Sequence, residues 1–238
     1  MADSQRRELA VVIPVFNEEG NIRKCVEDWV EVLSSLEIDF ELIIIDDGSW
    51  DRSPVVLTEL KPRNEIRIIT KPNEGHGPSI LLGYREASET AEWVFQADSD
   101  NEISPHEFRD FWESRVGNDA VLGWRKDRHQ TFIRKAVSKI AGLVTRVLFG
   151  CRVHDANIPF RLIHAETLSK VISRIPRKTF APNIAISGAL CRLELAIEEL
   201  PVEFIGRENG KPSFTDIGIV LRSFRALIQI VQISRMFP

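Results

Sequence analysis

The chain has 238 residues, 43% of them hydrophobic and 28% charged, with 35 acidic against 31 basic side chains and a formal charge of −4. That length admits one large α/β domain or two small ones, and the acidic balance speaks against a nucleic-acid binder, whose domain should be strongly basic. Three widely spaced cysteines, Cys25, Cys151 and Cys191, with no Cys-x-x-Cys, predict reduced thiols rather than a zinc site or disulfide framework. The start is polar and no window reaches the roughly 18 apolar residues of a membrane span. A cytoplasmic protein without a transmembrane segment is therefore expected, at most peripheral on the cytoplasmic face of a membrane.

Leu9–Val15 is an almost unbroken apolar run, as in a strand buried on both faces of a parallel sheet. Ile22, Val26, Trp29, Val30 and Leu33 then recur at helical spacing between charged residues. A second buried strand, Leu42–Ile45, leads through Asp46-Asp47-Gly48-Ser49 into a helix over roughly 53–60. A third strand covers 66–70. The glycine- and proline-rich stretch 72–78 predicts a loop, followed by a helix from about Ser79 to Thr90 and a fourth strand, Trp93–Ala97. This alternation is the pattern of βαβ units with right-handed crossovers. The expected class is α/β, a Rossmann-like, mostly parallel sheet flanked by helices.

Ligands of such sheets bind at the carboxyl ends of the strands. That rule lines up Phe16–Glu18, Asp46–Ser49, Asn73–Gly77 and Asp98–Glu102 along one rim. The last group closes the fourth strand with three acids at alternate positions, Asp98, Asp100 and Glu102. In an extended chain such residues share a face, so they are expected to converge and offer hard oxygens to Mg2+ or Mn2+. A solvated acidic loop is the plainer alternative. The dinucleotide and phosphate-loop glycine fingerprints are absent. Pro14, Phe16, Asn17 and Glu18, with Asp46 and Asp47, form turns whose carboxylates repel phosphate but accept hydrogen bonds from a base or a ribose. Asn73 and Gly75 belong to the third loop. The expected ligand is a nucleoside diphosphate, base toward the first two loops and phosphates toward Asp98 and Asp100. For Asp46–Ser49, an Asx turn followed by a helix cap is the structural alternative.

Val12–Glu18, Ile45–Asp51, Asn73–Gly77 and Ala97–Asp100 resemble, in order and spacing, the successive motifs of family 2 glycosyltransferases with the GT-A fold. The resemblance implies an inverting transferase that uses a nucleotide-diphosphate sugar, GDP-mannose or a UDP-hexose, with a divalent metal at the Asp-x-Asp. Glu102 stands where close relatives often carry Gln.

Asp119–Trp124 predicts another strand, followed by Arg125-Lys126-Asp127-Arg128, then Arg134 and Lys135. Most charge runs are solvated loops. Beside the rim, however, this one suits a phosphate-bearing acceptor, for which arginine is the better ligand. Val137, Ile140, Ala141, Val144 and Leu148 mark a helix face that serves either core or membrane. Val153–Arg161 resembles the polyprenyl-phosphate branch of the family, the dolichyl-phosphate sugar synthases, with Pro159 in place of the usual glycine. His154 within it reads equally as a loop histidine or a functional one. Glu199–Phe204 is strand-like. Ile205–Ser213 resembles that branch's basic loop, which implies that Arg207 and Lys211 help close over the phosphates. From Ile219, an amphipathic helix with Arg222, Arg225 and Arg235 either lies on an anionic bilayer or packs on the domain. The whole reads as one catalytic domain, about 8–124 holding the nucleotide sugar and about 125–238 the acceptor.

The expected reaction is hexose transfer to a polyprenyl phosphate by single displacement. A phosphate monoester, with a second pKa of about 6, is already mostly ionised at neutral pH and needs no protein base. Arg125, Arg134 and Arg161 would orient it. A glycan or protein hydroxyl would need a base, and Asp155 is the first candidate. A non-catalytic nucleotide-binding module is the third reading, and the intact Asp98 and Asp100 argue against it.

Overall fold

The computed structural model describes residues 6–126, 142–143, 145–150, 153–205 and 226–237. Arg134, Arg207 and Lys211 lie outside them, as do most of the basic run after Arg125, the start of the helix expected from Val137, and Leu221–Arg225. In chain order the described elements are β1 (Arg7–Val15), α1 (Ile22–Ser35), β2 (Phe40–Asp46), α2 (Ser53–Leu60), β3 (Ile66–Thr70), α3 (His76–Thr90) and β4 (Ala91–Gln96). A 3-10 turn (Pro105–Glu107) leads into α4 (Phe108–Glu113), followed by β5 (Ala120–Arg125), β6 (Arg161–His164), α5 (Ala165–Ile172), α6 (Pro182–Arg192) and β7 (Ile197–Val202). A last helical segment covers 226–234.

Among the described residues the strands form one seven-stranded sheet in the order β3-β2-β1-β4-β6-β5-β7. β1 pairs in parallel with β2 and β4, β2 with β3, and β5 with β7. β6 runs antiparallel to both its neighbours. The sheet is mostly parallel, as the alternating pattern predicts. The reversed strand is an addition to that expectation.

The unbroken apolar runs of β1 and β2 are explained by burial on two sides. Ala10, Val12, Ile43 and Ile45 join one core with residues of α3, α5 and α6. Leu9, Val11, Ile13, Leu42 and Ile44 join the other, with residues of α1, α2 and α4. In the second core Trp29, Phe95, Phe108, Phe111 and Phe160 pack edge to face or tilted around Phe95, with ring centroids of 4.7–6.0 Å to it. These are the arrangements that ring quadrupoles favour.

The register aligns the strand ends. Val15 faces Asp46, Asp46 faces Thr70, and Val12 faces Gln96, so the turns that follow β1, β2, β3 and β4 leave from one edge of the sheet. One expectation is corrected. Cys25 is a free, buried thiol, but Cys191 is disulfide-bonded, a pairing that widely spaced cysteines without a short motif do not announce.

Candidate active site

The first two rim turns are stitched together. The Asn17 N–H donates to Ser49 Oγ (3.0 Å), and Asn17 Oδ1 accepts the Trp50 N–H (3.0 Å). The Glu18 N–H donates to Ser53 Oγ (2.8 Å) and the Glu19 N–H to Asp51 Oδ2 (3.1 Å), while the Arg52 N–H returns to Glu19 Oε2 (2.8 Å). Asn17 adopts φ 56°, a left-handed conformation that asparagine tolerates. Asp46 Oδ1 accepts the Ser49 N–H (3.0 Å), so the Asx turn is present. Burial pushes the Asp51 carboxyl up, but hydrogen bonds from the Ser53 side chain and N–H and from the Glu19 N–H outweigh it and hold it below the ordinary carboxylate range.

Asp47 is buried and ties in the third turn. It accepts from Lys71 Nζ, from the Glu74 N–H (2.9 Å) and from the Gly75 N–H (2.8 Å). Gly48 permits this approach: it holds φ 71°, and a Cβ there would lie 2.9 Å from the Asn73 nitrogen. Pro14 is buried inside β1 opposite Ile45, whereas Phe16 and Asn73 are exposed.

The acids behind β4 do not lie on an extended strand. β4 ends at Gln96, and Asp98–Glu102 follow a turn in which Asn101 takes φ 50° and Asp100 Oδ1 accepts the Glu102 N–H (3.3 Å). The three acids are therefore carried by a turn and not by one face of a pleated strand. Asp98, Asp100 and Glu102 line one small open cleft together with Arg125, Phe160 and Phe204. His76, at the start of α3, sets its Nε2 3.7 Å from Asp98 Oδ1. Cys25 Sγ lies 3.8 Å from the Asp98 carbonyl oxygen, and burial pushes its thiol well above its usual range. Among the described residues no three His, Cys, Asp or Glu side chains are gathered into a ready cage for a metal ion. The donor set is instead an open group of hard carboxylate oxygens in a cleft. That fits Mg2+ or Mn2+, which usually take part of their shell from water and phosphate.

The basic residues divide. Arg125, at the end of β5, pairs with buried Asp155 (Nη1 to Oδ2, 3.3 Å) while lining the cleft, and its guanidinium carbon lies 5.7 Å from the centre of the Phe204 ring. Arg161 is different. It has no exposed surface, and it donates to the carbonyls of Ala156, Ile158 and Asn183 and to Ser187 Oγ at 2.7–3.3 Å. A guanidinium sealed in this way cannot orient an acceptor, so its expected phosphate role gives way to a structural one. His154 is held to Glu199 (Nδ1 to Oε2, 3.0 Å) and stacks on Trp124, their ring centroids 5.2 Å apart.

The sequence model of the family described as Glycosyl transferase family 2 matches residues 10–172, which include all four rim turns and the three acids of the cleft. The chain belongs to this family. An undecaprenyl-phosphate 4-deoxy-4-formamido-L-arabinose transferase of Proteus mirabilis is 28% identical over 200 residues, 82% of this chain and 61% of that protein. Its counterpart in Edwardsiella ictaluri is 28% identical over 211 residues, 87% of this chain and 62% of its own length. The chain thus spans about three fifths of these curated relatives. Among solved structures, glucosyl-3-phosphoglycerate synthase from Mycobacterium tuberculosis, in complex with Mn2+, uridine diphosphate and phosphoglyceric acid, superposes with a TM-score of 0.70 at 20% identity. The match covers 98% of this chain and 80% of that one. The architecture is that of GT-A glycosyltransferases.

Two features of this rim have no local sequence signal. Lys71, which holds Asp47 and lies 3.7 Å from Glu74, carried no motif of its own. The glycine and proline content around His76 predicts a loop, whereas His76 opens α3 beside Asp98. A charged residue closing a strand opposite a paired acid is the signal that finds Lys71.

Proposed function

We propose that the chain transfers a sugar from a nucleoside-diphosphate donor to a polyprenyl phosphate, with inversion. The observation that carries this reading is the cleft in which Asp98, Asp100 and Glu102 meet Arg125: carboxylates for a cation and, on the same cavity, a cation for an anionic acceptor. The names of the relatives, which match along more than four fifths of the chain, support the acceptor class. Asp98 and Asp100, with Glu102 beside them, are the residues to hold Mg2+ or Mn2+, which when bound neutralises the charge developing on the leaving diphosphate. The stitched first two turns take the nucleoside, with Phe16, Asn17, Glu18, Asp46 and the Asn73–Gly75 turn around it. Asp47 acts through the third turn it holds. Arg125 turns from Asp155 toward the acceptor phosphate, whose own negative charge makes a protein base unnecessary. Arg134, Arg207 and Lys211 are assigned to the same phosphates from their sequence context.

A lipid acceptor requires a bilayer, and among the described residues no helix is long and apolar enough to cross one. We assign membrane contact to the face where the 174–180 turn meets the last helical segment. Gln229 bonds the Lys178 carbonyl and the Phe180 N–H, and Arg174 packs on Phe237. Phe180, Ile228 and Met236 are exposed there beside Arg177, Lys178 and Arg235, a mixture of apolar and basic groups suited to anionic headgroups. Lys178 also pairs with Glu74 of the third turn (3.4 Å), so this face borders the site.

The test is a turnover panel of GDP-mannose, UDP-glucose and UDP-N-acetylglucosamine with a short polyprenyl phosphate, with and without Mn2+. One donor is expected to work and the metal to be essential. Asp100→Asn should abolish transfer with an unchanged melting temperature. Full activity in that variant refutes the role given to the acidic turn. The second reading is a soluble phosphorylated acceptor, favoured by the phosphoglyceric acid bound to the structural neighbour. It predicts turnover with 3-phosphoglycerate and none with the lipid.

A further inference from the structure

Trp50 stands 80% exposed in the middle of the second rim turn. Its backbone is anything but loose. Its own N–H is held by Asn17 Oδ1, Ser49 bonds Asn17 on one side, and Asp51 and Arg52 bond Glu19 on the other. An indole left in water forgoes burial that would stabilise the fold, and here it is mounted on a turn whose hydrogen bonds fix its position. Phe16, one residue before Asn17 on the partner turn, is also exposed, at 41%. The two stitched turns therefore each present an aromatic ring at the same end of the sheet.

The surrounding charge narrows what such a ring can meet. Glu18, Glu19, Asp46 and Asp51 lie in these two turns against Arg52, while Asp47 is paired with Lys71. An anionic headgroup or a phosphate is repelled there. A neutral planar ring is not.

We propose that Trp50 is the platform for the donor's nucleobase, its indole stacking on the base face while the polar groups of the same turns meet the base edge. The proposal rests on the nucleotide-sugar reading above and deepens it. Stacking is tolerant of base identity because every base has a π-face, so Trp50 sets affinity, and hydrogen bonding at the base edge sets the choice of nucleoside. Because the turn is already ordered, little conformational freedom is lost on binding.

The experiment is calorimetric binding of UDP and of GDP, each with Mn2+, to the wild type, Trp50→Ala and Trp50→Phe. Inorganic pyrophosphate with Mn2+ serves as the base-free probe. In Trp50→Ala the Kd of the preferred nucleotide should rise about tenfold or more, and in Trp50→Phe by no more than about threefold. Pyrophosphate affinity and melting temperature should be unchanged in both, and the donor KM should rise in step with the Kd. Equal nucleotide affinity in wild type and Trp50→Ala overturns this inference alone. A parallel loss of pyrophosphate binding overturns it too, because the rim as a whole would then have been disturbed. Trp50→Ala that keeps its nucleotide but no longer floats with phosphatidylglycerol vesicles assigns the ring to a membrane and overturns it as well. A wild type that binds neither nucleotide overturns both this inference and the nucleotide-sugar reading beneath it.

Discussion

A guanidinium without exposed surface has to find its partners inside the protein, and Arg161 finds them on the 156–158 turn and on α6. Arg161→Ala strands several buried carbonyls, each worth about 1–3 kcal/mol when left unpaired. A loss of about 3–5 kcal/mol is expected, visible as a fall in melting temperature of about 10 °C. A ligand-orienting arginine would instead raise the acceptor KM at constant melting temperature, so calorimetry with steady-state kinetics separates the two roles. Asp51 gives a prediction of the opposite kind, one read along the pH axis. Its carboxyl is held below the ordinary range in the folded protein, so on acidification the unfolded chain takes up that proton first. The contribution is fully present above the unfolded pKa of about 3.9 and is lost as pH falls through the lower folded value. The acid limb of a melting-temperature profile should therefore be shallower in Asp51→Asn than in the wild type, with no difference in slope near neutrality. Equal acid limbs would remove Asp51 from the group of residues that tie the first two turns together.

At the level of elements, the seat of α3 on the sheet depends on one missing methyl group. A Cβ on Gly83 would stand 2.2 Å from Val12 Cγ1 and 3.3 Å from Ile45 Cγ1. Gly83→Ala gains helix propensity of up to about 1 kcal/mol, yet overpacks a two-sided core at a cost of about 1–3 kcal/mol or more. Net destabilisation is expected in urea unfolding. Adding Val12→Ala should recover part of it, a non-additivity that marks direct contact. The elements differ in how far the chain announced them. β1 and β2 were legible because burial on both faces leaves no polar residue to break the run, and α1 because one face stays wet. α6 was not. Every residue from Pro182 to Leu190 is buried, so the segment has no polar stripe and hence no helical period to read. β6 has four residues, too few for alternation to show. Of the site, the four rim turns were visible as motifs. The turn at Asn101, the sealing of Arg161 and the Lys71 clamp depend on contacts distant in sequence, and no local pattern records those.

On the scale of the whole molecule, the basic and apolar face beside the third turn predicts a salt-sensitive association with membranes. Flotation with phosphatidylglycerol vesicles is expected at low ionic strength and should weaken as the screening length falls from about 10 Å at 0.1 M salt to about 3 Å at 1 M. Arg177→Glu combined with Lys178→Glu should weaken it further, and phosphatidylcholine alone should not bind. Binding that ignores both salt and charge reversal would remove this face as the docking surface. The reversal of β6 carries a separate consequence for how such a protein changes over time. Because β5 and β6 are antiparallel neighbours, the chain leaves the sheet after Arg125 and re-enters it at Arg161 on the same edge. The end of that connection is fixed, because Ala156 and Ile158 hold Arg161 and Phe160 packs on Phe95, so a change of length is tolerated only before it, where each doubling of a flexible loop adds about 0.6 kcal/mol of closure cost. On the proposed function, with Arg125 facing the acceptor, a change of acceptor is expected to appear as changes between Arg125 and Arg161 rather than in the four rim turns.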